Sequence, residues 1–175
     1  MIKFLQEINK LKSIKRTGWL RKNVKNPESV ADHSFRVALM AYLLCPDNLD
    51  KERMIKMALL NDLPEAVTGD IVTTSNDSAE FKNNKLKKEI SVFKQMIQKL
   101  NKKDELLELF KESESLETEE SRFLKQIDKL EMAFQALEYE SSNMHDFDEF
   151  WKTTEHTLNH PKLIEIFEEL KKLRK

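Results

Sequence analysis

Ile2, Leu5, Ile8 and Leu11 recur at helical spacing and predict a first amphipathic helix over residues 2–13. A polar connection, SIKRTGWLRKNVKNPES, follows and contains Gly18. Pro27 and Ser29 punctuate the start of the next helix, VADHSFRVALMAYLL, whose apolar stripe is Val30, Val37, Met40, Ala41 and Leu44. A third helix, roughly 51–62, turns Met54, Met57, Ala58 and Leu60 inward. Pro64 must interrupt or restart it, because proline lacks the amide donor and disfavours a helical residue before it. Surface helices are predicted over 78–100 and 104–112. The segment LETEESRFLKQIDKLEMAFQALEYE predicts a long helix burying Leu124, Ile127, Leu130, Phe134 and Leu137. Two more are expected over 146–158 and 161–174, with Pro161 in the first turn of the last.

Composition sharpens this into a fold class. Two glycines and four prolines in 175 residues are too few for the turns of a sheet protein, so the expectation is all-α. The length suits one domain with a real core, and no repeat, low-complexity tract or linker divides it. A single compact helical bundle over 1–175 is therefore expected. Thirty basic against thirty-one acidic residues leave a net charge of −1, with the signs interspersed. No basic stripe calls for a nucleic-acid polymer or an anionic membrane. The charged stretch 99–120 reads as a solvated helical hairpin. The start, MIKFLQEINKLK, does not read as a secretory leader, and no apolar run approaches membrane-spanning length. One cysteine, Cys45, excludes an intramolecular disulfide, and a cytoplasmic location is expected.

Four polar residues interrupt apolar faces. His33 precedes Val37 by four residues and Ala41 by eight, so it shares the buried face of its helix. Asn61 lies four after Met57, with Asp62 beside it at the helix end. Asp128 lies four after Leu124, at the edge of the long helix's buried face. Each can be satisfied locally: His33 by a backbone carbonyl, Asp62 as a cap, Asp128 by Lys125 or Lys129. Together, His33, Asp62 and Asp128 offer one nitrogen and two carboxylates, a set suited to Mn, Fe, Co, Ni, Mg or Zn.

The stretches PESVADHSFRVALMA, ALLNDLPEAVTGDI and FLKQIDKLEMAFQALEYE, with KRTGW at 15–19, resemble the HD-domain metal-dependent phosphohydrolases. Within them the chain looks most like the YfbR-like 5′-deoxynucleotidase branch, over roughly residues 1–140. The resemblance implies an all-helical, usually dimeric hydrolase that takes phosphate from deoxynucleoside 5′-monophosphates with one divalent metal. It implies His33, Asp62 and Asp128 as metal ligands and Glu65 and Asp70 as the acids that assist chemistry. It implies Arg16 at the substrate phosphate and Trp19 near the sugar and base. By position alone, Glu65 can complement a helix dipole and Asp70 can be a turn residue. Arg16 can equally be a surface charge and Trp19 a core anchor.

The departure falls on the name-giving doublet, where Asn61 stands in place of the family's histidine. An amide oxygen is a harder, weaker ligand than an imidazole nitrogen, which should lower metal affinity and shift preference toward Mg²⁺ or Mn²⁺. Three readings follow: a weakened working enzyme, a degenerate site, or an introduced inactivating change. The intact Glu65, Asp70 and Arg16 favour the first or the third. Two other activities stay open, hydrolysis of nucleoside triphosphates or signalling nucleotides, and nucleotide binding by a catalytically dead oligomer. His156 and His160 are spaced i,i+4 but read as a chance surface pair, and His145 as a local cap in a polar turn.

Overall fold

Helix ends in the computed structural model, which describes residues 1–74, 76–142 and 146–174, fall where capping chemistry stops the apolar period. The order is α1 (Ile2–Ile8), a 3-10 turn (Asn9–Lys12), α2 (Thr17–Arg21), α3 (Val30–Leu44), α4 (Lys51–Asn61) and α5 (Glu65–Thr68). There follow α6 (Ala79–Ile97), α7 (Lys103–Ser115), α8 (Glu119–Ser142), α9 (Asp148–Thr157) and α10 (Pro161–Leu173). No strand forms among the described residues, as the composition leads one to expect, and Lys15 and Ser29 make an isolated antiparallel bridge.

The long helix α8 is the spine, packing against α3, α4, α7, α9 and α10. Its Ile127, Leu130, Ala133 and Ala136 are fully buried. Around it, Met54, Met57, Phe93, Phe110 and Phe147 lose all contact with solvent, and Phe167 nearly all. Each such side chain contributes roughly 1.5–3 kcal/mol on burial, so the framework under the site is rigid.

Two elements differ from the pattern's prediction. The first helix breaks into α1 and a 3-10 turn, leaving Ile2 and Leu5 exposed and Leu11 buried. The polar connection contains α2, which no apolar period announces, because tertiary contact holds it. A Cβ at Gly18 would lie 3.4 Å from the Phe150 ring, so this turn packs directly against α9. The expectation of a cap at His145 lies outside the described residues.

A small apolar clamp of Leu11, Val30 and Ala66 ties the 3-10 turn, α3 and α5 together. Those three elements carry or adjoin most of the polar residues singled out above. The start of α3 is fixed further by a capping box: Ser29 Oγ accepts from the Asp32 amide at 3.2 Å, and Asp32 Oδ2 accepts from the Ser29 amide at 2.8 Å. The Ser29 hydrogen bonds hold the Asp32 carboxyl below its ordinary range. Its contribution is therefore complete at neutral pH and fades as pH falls through that lowered value. Ser29→Ala is expected to lower stability by about 1 kcal/mol in urea unfolding at pH 7, with a smaller loss in strong acid.

Candidate metal and substrate site

The site gathers four segments. Arg16 stands just before α2, where its amide donates to the Glu28 carbonyl at 3.1 Å. The Val30 amide donates to the Ile14 carbonyl at 2.9 Å, so the strand-like bridge holds Arg16 against the start of α3. His33 follows one turn into α3. Asn61 and Asp62 end α4, and Pro64, at φ −57°, launches the short helix that begins with Glu65. Gly69 has φ +74°, a left-handed conformation that turns the chain back and delivers Asp70. The Thr17 amide and hydroxyl donate to the Asp70 carboxylate and carbonyl respectively, locking this loop onto α2.

His33 is the centre. It is 1 % exposed, with Nε2 3.1 Å from Asp128 Oδ1 and 3.7 Å from Asp62 Oδ2. Its Nδ1 lies 2.5 Å from Glu131 Oε2, and Glu131 is wholly buried. Arg36 donates to the other Glu131 oxygen at 2.7 Å and to Gln135 at 2.6 Å. Burial and Arg16 both disfavour a charged imidazole, yet Glu131 and Asp128 outweigh them and raise the His33 pKa to about 10. Asp128 stays ionised well below the usual carboxylate range. Burial opposes this, but Lys129, Lys125 and His33 prevail.

Glu65 has the opposite environment. It is buried, its Oε2 has no hydrogen-bond partner, and burial with Asp62 and Asp70 pushes its pKa up to about 9. Arg16 remains charged: burial disfavours the cation, but Asp62, Asp70, Asp128 and Glu65 together raise its pKa. Its guanidinium stands 3.8 Å from Asp70 Oδ1.

These donors fit a divalent cation. With Nδ1–H directed at Glu131, the Nε2 lone pair of a neutral His33 points between the Asp62 and Asp128 carboxylates, and an outer carboxylate fixes the tautomer. The unpartnered Glu65 oxygen adds anionic capacity at the same place. A second cluster, Glu28, His33 and Glu131, also has ligand atoms within 4.8 Å of one another. There, however, the Arg36 guanidinium already lies 2.6 Å from Glu131 and 3.9 Å from Glu28. The Nε2 side is the better cation site. Asn61 borders it, and its Nδ2 donates to Asp62 Oδ1 at 3.1 Å. As placed, its amide supports Asp62 and makes no bond to His33.

Trp19, which the resemblance sets near the sugar and base, lies in the core. It is 2 % exposed and stacks on Phe150 at 4.3 Å. Tyr139 and Phe147 meet it edge-on, and its Nε1 donates to Glu28 at 2.8 Å. Trp19 anchors α2 to α9 through Phe150. His33 is satisfied by Glu131 rather than by a backbone carbonyl, while Asp128 does pair with Lys129 and Lys125. The exposed His156 places Nδ1 2.6 Å from the Lys152 carbonyl oxygen, and His160 packs edge-on to Phe123.

Three residues escaped the sequence reading: Glu131, Arg36 and Glu28. The available signal was an acid, Glu131, one turn after Asp128 and next to Leu130 inside the apolar stripe. Arg36, one turn after His33, had the matching charge.

An imidazole braced from behind by a carboxylate, facing two further carboxylates on a helical scaffold, defines a class of hydrolytic metal centres. The comparisons specify it: the HD domain family matches residues 8–171, and the chain belongs to that family. It is 37 % identical over 174 residues to the 5′-deoxynucleotidase HDDC2 of Mus musculus, spanning 97 % of this chain and 86 % of that protein. A conserved hypothetical protein from Pyrococcus furiosus superposes with a TM-score of 0.82 at 38 % identity, covering 98 % of this chain and 99 % of that one. A predicted metal-dependent phosphohydrolase from Magnetospirillum magnetotacticum gives a TM-score of 0.72 at 25 % identity, covering 97 % and 88 %.

The raised His33 pKa has a consequence for stability. A group whose folded pKa lies above its unfolded value stabilises fully below the unfolded pKa and loses that contribution as pH rises through the folded one. In chelator, the melting temperature is expected to fall between pH 7 and 10. Glu131→Gln is expected to lower it at pH 7 and to flatten that slope, read by calorimetry.

Proposed function

We propose that this chain is a metal-dependent phosphohydrolase that removes the 5′-phosphate from deoxynucleoside monophosphates. The observation that carries the reading is the orientation of His33. Its Nδ1 is bound to Glu131 and its Nε2 faces Asp62 and Asp128, as a single-ion site requires. The 37 % identity to a 5′-deoxynucleotidase along nearly the whole chain supports the substrate class. His33, Asp62 and Asp128 would hold the ion, with Asn61 beside Asp62. Residues 1–175 would then make up one HD domain.

When bound, a divalent ion supplies Lewis acidity at a phosphate oxygen and makes water a stronger acid. The protein's own groups do the rest. Glu65, with a free buried oxygen and a carboxyl held neutral in the metal-free site, is the group able to move a proton at the reacting centre. Asp70 has less freedom: Thr17 occupies its Oδ2 and Arg16 faces its Oδ1. It positions Arg16, whose planar, permanently charged fork can orient a phosphate. Asn61 weakens the ion's grip, leaving the proton-handling and orienting groups in place.

Location and assembly belong to the same reading. No helix among the described residues is long and apolar enough to cross a membrane, and Cys45 is a buried free thiol, which supports a cytoplasmic protein. Phe35, Leu39, Tyr42 and Leu43 lie exposed along α3 and supply an apolar surface for a homodimer.

The test compares phosphate release from dAMP, dGTP and a generic monoester by this chain and by Asn61→His, in Mn²⁺, Co²⁺ and Mg²⁺. Asn61→His is expected to bind Mn²⁺ or Co²⁺ at least about tenfold more tightly and to release phosphate fastest from dAMP. Preference for dGTP would move the substrate to triphosphates. Metal and nucleotide binding without turnover in either protein would leave a binding protein.

A further inference from the structure

A cleft opens beside the site, with Asn61, Asp62, Glu114, Lys125 and Asp128 among its lining residues. Lys125 is the one lysine or arginine in that lining, and its charge is shared between Asp128 and the partly buried Glu114. Its side chain is 46 % exposed, and its Nζ stands 3.8 Å from Asp128 Oδ2, beyond hydrogen-bond reach. That same oxygen has a nearer cation, Lys129 Nζ at 3.0 Å. The other Asp128 oxygen faces His33. Asp128 thus keeps close partners on both oxygens without Lys125, and an ion pair so exposed and so long is cheap to break.

The remaining cations are committed. Arg16 is surrounded by Asp62, Asp70, Asp128 and Glu65. Lys129 lies against Asp128, beside both Lys125 and Arg16. A phosphate dianion entering a cleft walled by Asp62, Glu114 and Asp128 meets like charge on every side unless a cation can turn toward it. Lysine is suited to this: a compact, strongly hydrated charge on a flexible four-carbon stem.

We propose that Lys125 is the phosphate-receiving residue of the cleft. Its ammonium leaves Asp128 Oδ2 and takes a non-bridging phosphate oxygen, while Lys129 keeps Asp128 oriented. The phosphate as ligand rests on the phosphohydrolase reading; the loosely held cation does not.

The test is calorimetric binding of inorganic phosphate and of dAMP to the intact chain, with and without Mn²⁺, for the parent, Lys125→Met and Lys125→Arg. Methionine keeps the stem and removes the charge. It is expected to weaken phosphate and dAMP binding about tenfold or more, the worth of one charge-assisted hydrogen bond. Arginine should recover most of that loss. The Kd for Mn²⁺ should change less than about twofold, because Lys129 still holds Asp128. Unchanged phosphate binding in Lys125→Met overturns the proposal. So does an equal loss of Mn²⁺ and phosphate affinity, which would make Lys125 a support for Asp128, or an absence of phosphate binding in the parent. A parent that binds both anions through Lys125 and never hydrolyses dAMP leaves the proposal standing and removes the nucleotidase reading.

Discussion

The ion pair between His33 and Glu131 is the interaction on which the site depends. Glu131 is completely buried in the middle of α8, where an isolated carboxylate would be very costly. Two partners make it tolerable, His33 Nδ1 on one oxygen and Arg36 on the other. Removing one side of such a pair strands a buried charge, a loss of about 3–5 kcal/mol. The same contact sets the direction of the imidazole. With Nδ1 committed, Nε2 has to face Asp62 and Asp128, so Glu131 orients the proposed metal site from behind.

The surrounding fold makes that contact geometrically secure. The Ser29–Asp32 capping box sets the first turn of α3, and hence where His33 begins its turn inward. The Leu11, Val30 and Ala66 clamp brings α5 and Glu65 to the same place. The buried face of α8 carries Leu130 and Ala133 on either side of Glu131. Charge is then arranged in layers. Arg36 lies behind Glu131, the lysines 125 and 129 stand outside Asp128, and Arg16 lies among four acids. Among these acids Glu65 is the one left with a buried oxygen that accepts no hydrogen bond.

Most of the helices could be read from the apolar period, because each long element packs one face on the core. The reading failed where tertiary contact replaces period: α2 is held by Gly18 and Trp19 against Phe150, and α1 breaks short with Ile2 and Leu5 in solvent. At the site, His33, Asp62 and Asp128 were visible as polar residues on apolar faces, and the structure brings them together. Glu65 and Asp70 came from resemblance, since a prolyl turn and a glycyl turn say little by themselves about chemistry. Trp19 was legible as a core anchor, and the structure buries it. Glu131 was missed because an acid inside a helix rich in glutamate and lysine looks like surface until its partners across α3 are known.

The most direct test of the account is nitrogen-detected NMR of the histidine rings in the metal-free protein, followed by titration with Zn²⁺. The account predicts that the His33 ring is doubly protonated at neutral pH without metal. On adding Zn²⁺ it should lose the Nε2 proton, show a metal-bound Nε2 and keep Nδ1 protonated against Glu131. A His33 ring that ignores Zn²⁺, or one that binds it through Nδ1, would contradict the account.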